Sequence, residues 1–80
     1  MRDPKEIKSK AELAAFIAEL ESDLKNHPDG WENITLENFL EAMGAWAQDA
    51  NLGTNIPTSW DRPEAWSLAA TLLLAASIYE

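Results

Sequence analysis

The chain contains no cysteine and a single histidine among its 80 residues. Without cysteine there is no disulfide framework and no zinc site built from thiolates. With one histidine, the usual side chains for metal ligation and general acid–base catalysis are nearly absent. We therefore expect no metal ion, no cofactor and no catalytic residues, and the composition argues against an enzyme.

Basic residues are also scarce, with 6 Lys and Arg against 14 Asp and Glu and a net charge of −8. This balance disfavours nucleic acid and anionic membranes as partners, because their phosphates would be repelled. The longest run without a charged residue, 65–79, is shorter than the roughly 17 to 25 residues that span a bilayer. The first residues lack the apolar stretch of a secretory signal. We expect a cytoplasmic, bacterial-type protein without membrane contact.

The content of 46% hydrophobic residues, with four Trp, excludes a disordered tail and fits one small domain over residues 1–80. Charge is unevenly distributed. The first ten residues carry four basic and two acidic side chains, a net of +2, so the remaining residues carry −8 − 2 = −10. Residues 1–8 are therefore predicted to be a flexible basic leader.

The first helix is predicted over residues 10–26. Ser9 and Glu12 have the spacing of a capping box, which satisfies unpaired amides at a helix start. Pro28 and the Asp29-Gly30 pair predict a corner after the helix. Between these signals, apolar residues recur at helical spacing: Leu13, Phe16, Ile17, Leu20 and Leu24.

The second helix is predicted over residues 36–51. The hydroxyl of Thr35 can cap its first amides, and Ile34 and Phe39 have the spacing of a hydrophobic staple. Gly53 is expected to supply a left-handed C-terminal cap. Residues 53–61 are rich in turn formers and are predicted to form a loop.

The third helix is predicted over residues 62–78, with a capping box at Asp61 and Glu64 and Pro63 in its first turn. It has scarcely any polar face, so we expect it to be the central element of a compact, all-α, three-helix bundle. Leu74 and Ile78 fall on its most polar stripe. They would be covered by the leader or by a second chain, and form the candidate interface of a homodimer.

Residues 31–46 read W-E-N-I-T-L-E-N-F-L-E-A-M-G-A-W. This segment resembles a small bacterial, all-helical family of unknown function with the signature W-E-N-x-T-L-E-x-[FY]-L-E-A-M-x-x-W. Ile7-Lys8-Ser9-Lys10 and the C-terminal A-S-I-Y-E of residues 76–80 match further parts of that family. The resemblance implies a stand-alone or accessory helical domain, and it carries over no catalytic residue.

Acidic residues cluster at the start of the second helix, where Glu37 and Glu41 are four residues apart and Glu32 shortly precedes them. No Lys or Arg occurs between Lys25 and Arg62. Like charges at this spacing repel, and a basic partner would relieve that repulsion. The alternative is an ordinary solvated helix face.

Two tryptophans lie in predicted loops. Trp31 and Trp60 could form an aromatic anchor rimmed by acidic residues, the kind of cluster that dominates binding energy at interfaces. Alternatively, Trp31 clamps the corner onto the core, while Glu32 and Asn33 bond to amides at helix ends. His27 is expected to cap the end of the first helix.

These features predict a non-catalytic module that binds a basic protein partner through Trp31, Glu32, Glu37, Glu41 and Trp60. Neutralisation of a toxin with a basic active site would be a special case. The alternative is a structural homodimer or assembly subunit that associates through the third helix. A small hydrolase or metal enzyme is a third class, which would need a divalent ion at the two helical glutamates.

Overall fold

The computed structural model describes residues 2–79. The described residues form three α-helices and three short 3-10 helices, and they contain no β-strand, so the predicted all-α class is confirmed. The α-helices are α1 (Lys10–Asn26), α2 (Leu36–Asp49) and α3 (Pro63–Ala76). The 3-10 helices are Pro4–Glu6, Pro28–Gly30 and Thr58–Trp60.

The chain divides into two units, Met1–Met43 and Gly44–Glu80, with the boundary inside α2. In the first unit, α1 begins at Lys10 as predicted, because Ser9 Oγ accepts a 3.1 Å hydrogen bond from the Glu12 amide. The Glu12 carboxylate accepts in return from the amide of Lys8, at 3.0 Å, rather than from that of Ser9. The capping box is thus present with its return bond displaced by one residue.

The residues at the two ends of the corner between α1 and α2 have the capping roles that the sequence predicts. His27 is the C-cap of α1, and its amide donates to the carbonyl of Asp23 at 2.7 Å. The 3-10 helix Pro28–Gly30 makes the corner. Thr35 Oγ1 then accepts a 3.2 Å hydrogen bond from the amide of Asn38, which confirms Thr35 as a capping residue of α2.

The leader contains the 3-10 helix Pro4–Glu6, whose first turn is closed by a 2.9 Å bond from the Lys5 amide to the Asp3 carboxylate. Arg2 forms an ion pair with Glu19 at 2.8 Å. The leader thus contacts α1, while its predicted flexibility stays a prediction.

In the second unit, α2 ends at Asp49, two residues before the predicted end at residue 51. The amide of Asn51 donates to Asn55 Oδ1 at 2.9 Å and so starts a turn instead of continuing the helix. Gly53 has a φ of 88°, in the left-handed region as expected. It lies within this turn, however, and does not cap α2.

The predicted start and end of α3 need small corrections. The N-cap residue is Arg62, which makes no side-chain capping bond, so the predicted capping box of Asp61 and Glu64 is wrong. The Asp61 carboxylate instead accepts a 2.8 Å bond from the indole N–H of Trp66. The helix ends at Ala76, two residues before the predicted end at residue 78.

Burial differs between elements. None of residues 2–79 is fully buried. The half-buried apolar residues of the first unit follow the predicted stripe of α1 and continue into the corner and α2, whereas Ile17 of that stripe is 49% exposed. They include Leu13, Phe16, Leu20, Leu24, Trp31 and Phe39. Every residue of α3 is exposed, so burial does not mark α3 as the central helix, and its central position stays a prediction.

None of the helices found in residues 2–79 has both the length and the apolar character needed to cross a membrane.

Candidate functional site

The three predicted acidic residues all lie in the first unit and face solvent. Glu32 precedes α2, and Glu37 and Glu41 lie on it, and all three are exposed. Within the described residues none of the three carboxylates makes an ion pair or a side-chain hydrogen bond; the two ion pairs found there are Arg2–Glu19 and Lys25–Glu21. Among the described residues, these three carboxylates are therefore exposed and have no ion-pair partner.

Apolar side chains are exposed beside these carboxylates. Leu36 is 74% exposed, Leu40 45% and Met43 39%. Positions three and four apart on a helix share a face, so the three form one apolar strip, next to Glu37 and Glu41. We call these five residues, together with Glu32, the acidic α2 surface. It combines an uncovered apolar strip with uncompensated negative charge.

Trp31 has the structural role that the sequence left open as an alternative. Its indole Nε1 donates a 2.8 Å hydrogen bond to Asp23 Oδ2 on α1. Its ring stacks on Phe39 of α2, with ring centroids 6.4 Å apart and planes inclined by 28°. Trp31 is half-buried by these contacts and clamps the corner between the two helices.

The companion prediction for the neighbours of Trp31 is wrong. Within the described part of the chain, neither Glu32 nor Asn33 makes a side-chain hydrogen bond to an amide at a helix end. Those amides are capped by Ser9 and Thr35 instead.

Trp60 belongs to the second unit. It ends the 3-10 helix Thr58–Trp60 and is 44% exposed. Trp31 belongs to the first unit, and a shared aromatic anchor stays a prediction.

The candidate dimer-interface residues are among the most exposed apolar side chains of the protein. Leu74 is 71% exposed on α3, and Ile78, in the turn that follows α3, is 79% exposed. No charged side chain occurs in residues 65–79. The C-terminal segment thus presents an uncharged surface to solvent.

The structure also has an open groove on α1, lined by polar residues, for which the sequence gives no prediction. It has a volume of about 600 Å³, and it is lined by Arg2, Glu19, Ser22, Asp23, Asn26 and His27. Four of these residues lie at positions i, i+3, i+4 and i+7 of α1, a polar stripe that the sequence displays. No sequence pattern predicts that Arg2 lines this groove, because Arg2 and Glu19 are far apart along the chain.

Only one of the two carboxylate oxygens of Glu19 has a hydrogen-bond partner in this groove. Arg2 Nη2 lies 2.8 Å from Glu19 Oε1, and Arg2 Nε donates to the same oxygen at 3.1 Å. Glu19 Oε2 is shielded from solvent and has no hydrogen-bond partner. One turn further along α1, Asn26 Nδ2 donates to Ser22 Oγ at 3.2 Å.

Metal ligation has no support from side-chain clustering in residues 2–79, where no three His, Asp or Glu side chains converge as a metal site requires.

Comparison with known proteins assigns the chain to a family. The model of a family described as a family of unknown function (DUF7660) matches residues 9–80. The match extends over all three α-helices. No curated protein and no solved structure matches the chain. The resemblance to a family of unknown function is therefore confirmed, while the signature at residues 31–46 and the bacterial origin stay predictions.

Proposed function

The chain belongs to DUF7660, a family of unknown function, and from that premise we propose that it is a non-catalytic protein-interaction module whose acidic α2 surface binds a basic protein partner. The observation that carries this proposal is the exposure of Leu36 and Leu40 directly beside Glu37 and Glu41. A partner that offers apolar and basic side chains together would match both parts of the surface.

The apolar strip supplies a driving force for association. Leu36, Leu40 and Met43 are 74%, 45% and 39% exposed, so covering each of them contributes a corresponding fraction of the about 1.5 to 3 kcal/mol gained by burying a fully exposed side chain of this size. An amphipathic helix of the partner is the simplest element that would cover such a strip.

The carboxylates supply selectivity for positive charge. Glu37 and Glu41 are one helical turn apart, and repulsion at this spacing costs a few tenths of a kcal/mol. Lys or Arg side chains of a partner would remove that cost and speed encounter by electrostatic steering. No Lys or Arg of the chain itself occurs between Lys25 and Arg62 to compete for these positions.

A toxin with a basic active site is one partner of this kind, and covering that site would neutralise it. We expect such an interaction to take place in the cytoplasm, with Trp31 and Trp60 each adding apolar contacts. The toxin, the cytoplasmic location and the tryptophan contacts are parts of this proposal that all depend on a basic partner.

The test is affinity capture with the purified, tagged chain followed by identification of the bound proteins. We expect a basic partner that is lost when Glu37→Lys and Glu41→Lys are combined. The matched control combines Glu6→Lys with Glu21→Lys, which changes the net charge equally at exposed positions outside the acidic α2 surface. Retention of the partner by both double variants would contradict the proposal.

A homodimer or assembly subunit is the second candidate, and it is favoured by the exposure of Leu74 and Ile78, 71% and 79%. Two acidic chains could approach through this uncharged segment without strong repulsion. Light scattering at high micromolar concentration should then show a dimer that Ile78→Glu dissociates and Thr54→Glu, a loop control with the same charge change, does not. A monomer at that concentration would rule this candidate out.

A further inference from the structure

We propose that the groove on α1 binds an arginine side chain of the basic partner at Glu19, and that Arg2 of the leader, which lines the groove and pairs with Glu19, is displaced from that carboxylate when the partner binds. The inference rests on the proposed function and adds a second contact to it, on α1 rather than α2. It also gives the leader a regulatory role, because the leader competes with the partner for one carboxylate.

The position of Arg2 shows which chemistry the groove accepts. Its guanidinium group lies against Glu19, with Nη2 at 2.8 Å and Nε at 3.1 Å from the same oxygen, Oε1. The second oxygen, Oε2, has no hydrogen-bond partner. A guanidinium group ordinarily binds a carboxylate as a fork, with one N–H directed at each oxygen. Arg2 therefore leaves half of the acceptor capacity of Glu19 unused.

An incoming arginine can use this capacity once Arg2 leaves. The terminal torsion of a glutamate side chain is broad, so the carboxylate of Glu19 can turn and present both oxygens to a new ligand. The exchange replaces contacts to one oxygen by contacts to two. It also gives a hydrogen-bond partner to Glu19 Oε2, which is now shielded from water without one. Such an unpaired, shielded oxygen costs free energy.

Displacing Arg2 loses little. The side chains of Arg2 and Glu19 are 37% and 36% exposed, and ion pairs at such positions contribute little to stability. When Arg2 leaves, the groove carries the negative charges of Glu19 and Asp23, and Ser22 and Asn26 supply neutral hydrogen-bonding groups. The vacated groove thus suits a cationic side chain.

The geometry favours arginine over lysine. A guanidinium group is planar and can pair with both oxygens of Glu19 at once, whereas an ammonium group acts as a point charge.

The direct test is an NMR titration of the full, isotopically labelled chain with N-acetyl-arginine amide. We expect shifts of the Trp31 indole N–H, which bonds to Asp23 of the groove, and of the amides of Asp23 and His27. Arg2→Gln removes the internal competitor and should tighten binding of the probe by about two- to fivefold. Glu19→Gln should weaken it by about three- to fivefold.

The matched control is Glu21→Gln. Glu21 lies on the same helix and pairs with Lys25 at 3.5 Å, but it does not line the groove. This variant should bind the probe like the wild type. N-acetyl-lysine amide should bind more weakly than the arginine probe, and equal binding would contradict the preference for a guanidinium group.

Two results would overturn the inference: no shifts with the arginine probe in either wild type or Arg2→Gln, or unchanged probe binding in a folded Glu19→Gln variant. These results are independent of the proposed function, because the probe needs neither a protein partner nor Glu37 and Glu41. Conversely, a partner lost on charge reversal at α2 but unaffected by Glu19→Gln would support the proposed function and refute the groove as a second contact.

Discussion

Trp31 donates a 2.8 Å hydrogen bond from its indole nitrogen to Oδ2 of Asp23, eight residues earlier on α1. The same ring stacks on Phe39 of α2, so one side chain connects the two helices of the first unit. The bond is half-buried and joins an N–H donor to a carboxylate, a combination stronger than a bond between neutral groups. The contact thus joins the corner, which directly precedes Glu32, to both helices.

The first prediction concerns this bond. Trp31→Phe keeps an aromatic ring that can stack on Phe39 but removes the N–H, so we expect the free energy of unfolding to fall by about 1.5 kcal/mol. Urea denaturation followed by circular dichroism measures the change.

Trp66→Phe is the matched control. The indole of Trp66 also donates a 2.8 Å bond to an aspartate, Asp61, but this pair is exposed. Water competes for both groups there, and we expect a loss below about 0.5 kcal/mol. Equal losses for Trp31→Phe and Trp66→Phe would show that burial does not distinguish the two bonds.

The second prediction concerns the start of α1. Ser9→Ala removes the hydroxyl that accepts from the Glu12 amide, and we expect it to cost about 1 kcal/mol. Amide hydrogen exchange in the first turn of α1 should accelerate accordingly. Ser9→Asp retains a capping oxygen and should leave both quantities near wild type. If Ser9→Ala exchanges no faster than Ser9→Asp, the cap does not stabilise the helix start.

The third prediction compares two glycines. A Cβ added at Gly44 would meet no heavy atom within 4 Å, so Gly44→Ala should stabilise α2 by up to about 1 kcal/mol through helix propensity. At Gly53 the φ of 88° is a left-handed conformation, and Gly53→Ala should destabilise the turn by about 1 kcal/mol. Thermal unfolding of the two variants should therefore shift in opposite directions, and shifts in the same direction would refute the comparison.

The starts of α1 and α2 could be predicted because capping is a local interaction. Ser9 and Thr35 bond to amides three residues ahead, and both signals are visible in a short window of sequence. The sequence predicts the start of α3 one residue too early, because Asp61, a good capping residue, accepts a hydrogen bond from the indole of Trp66 and does not cap the helix. The sequence predicts the end of α2 two residues too late, because the Asn51 amide donates to the side chain of Asn55. The spacing of apolar residues does not predict this bond.

The candidate site was predictable in part for the same reason. The exposure of Glu37 and Glu41 follows from their position on the polar side of α2, which periodicity gives directly. The groove on α1 could not be predicted, because it depends on Arg2 reaching Glu19, a separation of 17 residues. No local pattern relates a leader residue to one position on a helix.

The central claim is that the acidic α2 surface binds a basic protein, and calorimetric titration of the captured, purified partner tests it most directly. We predict that combining Glu37→Lys with Glu41→Lys raises the Kd at least about tenfold, and that binding of the wild type weakens as salt is added. A Kd that is the same for wild type and double variant at low salt would contradict the account.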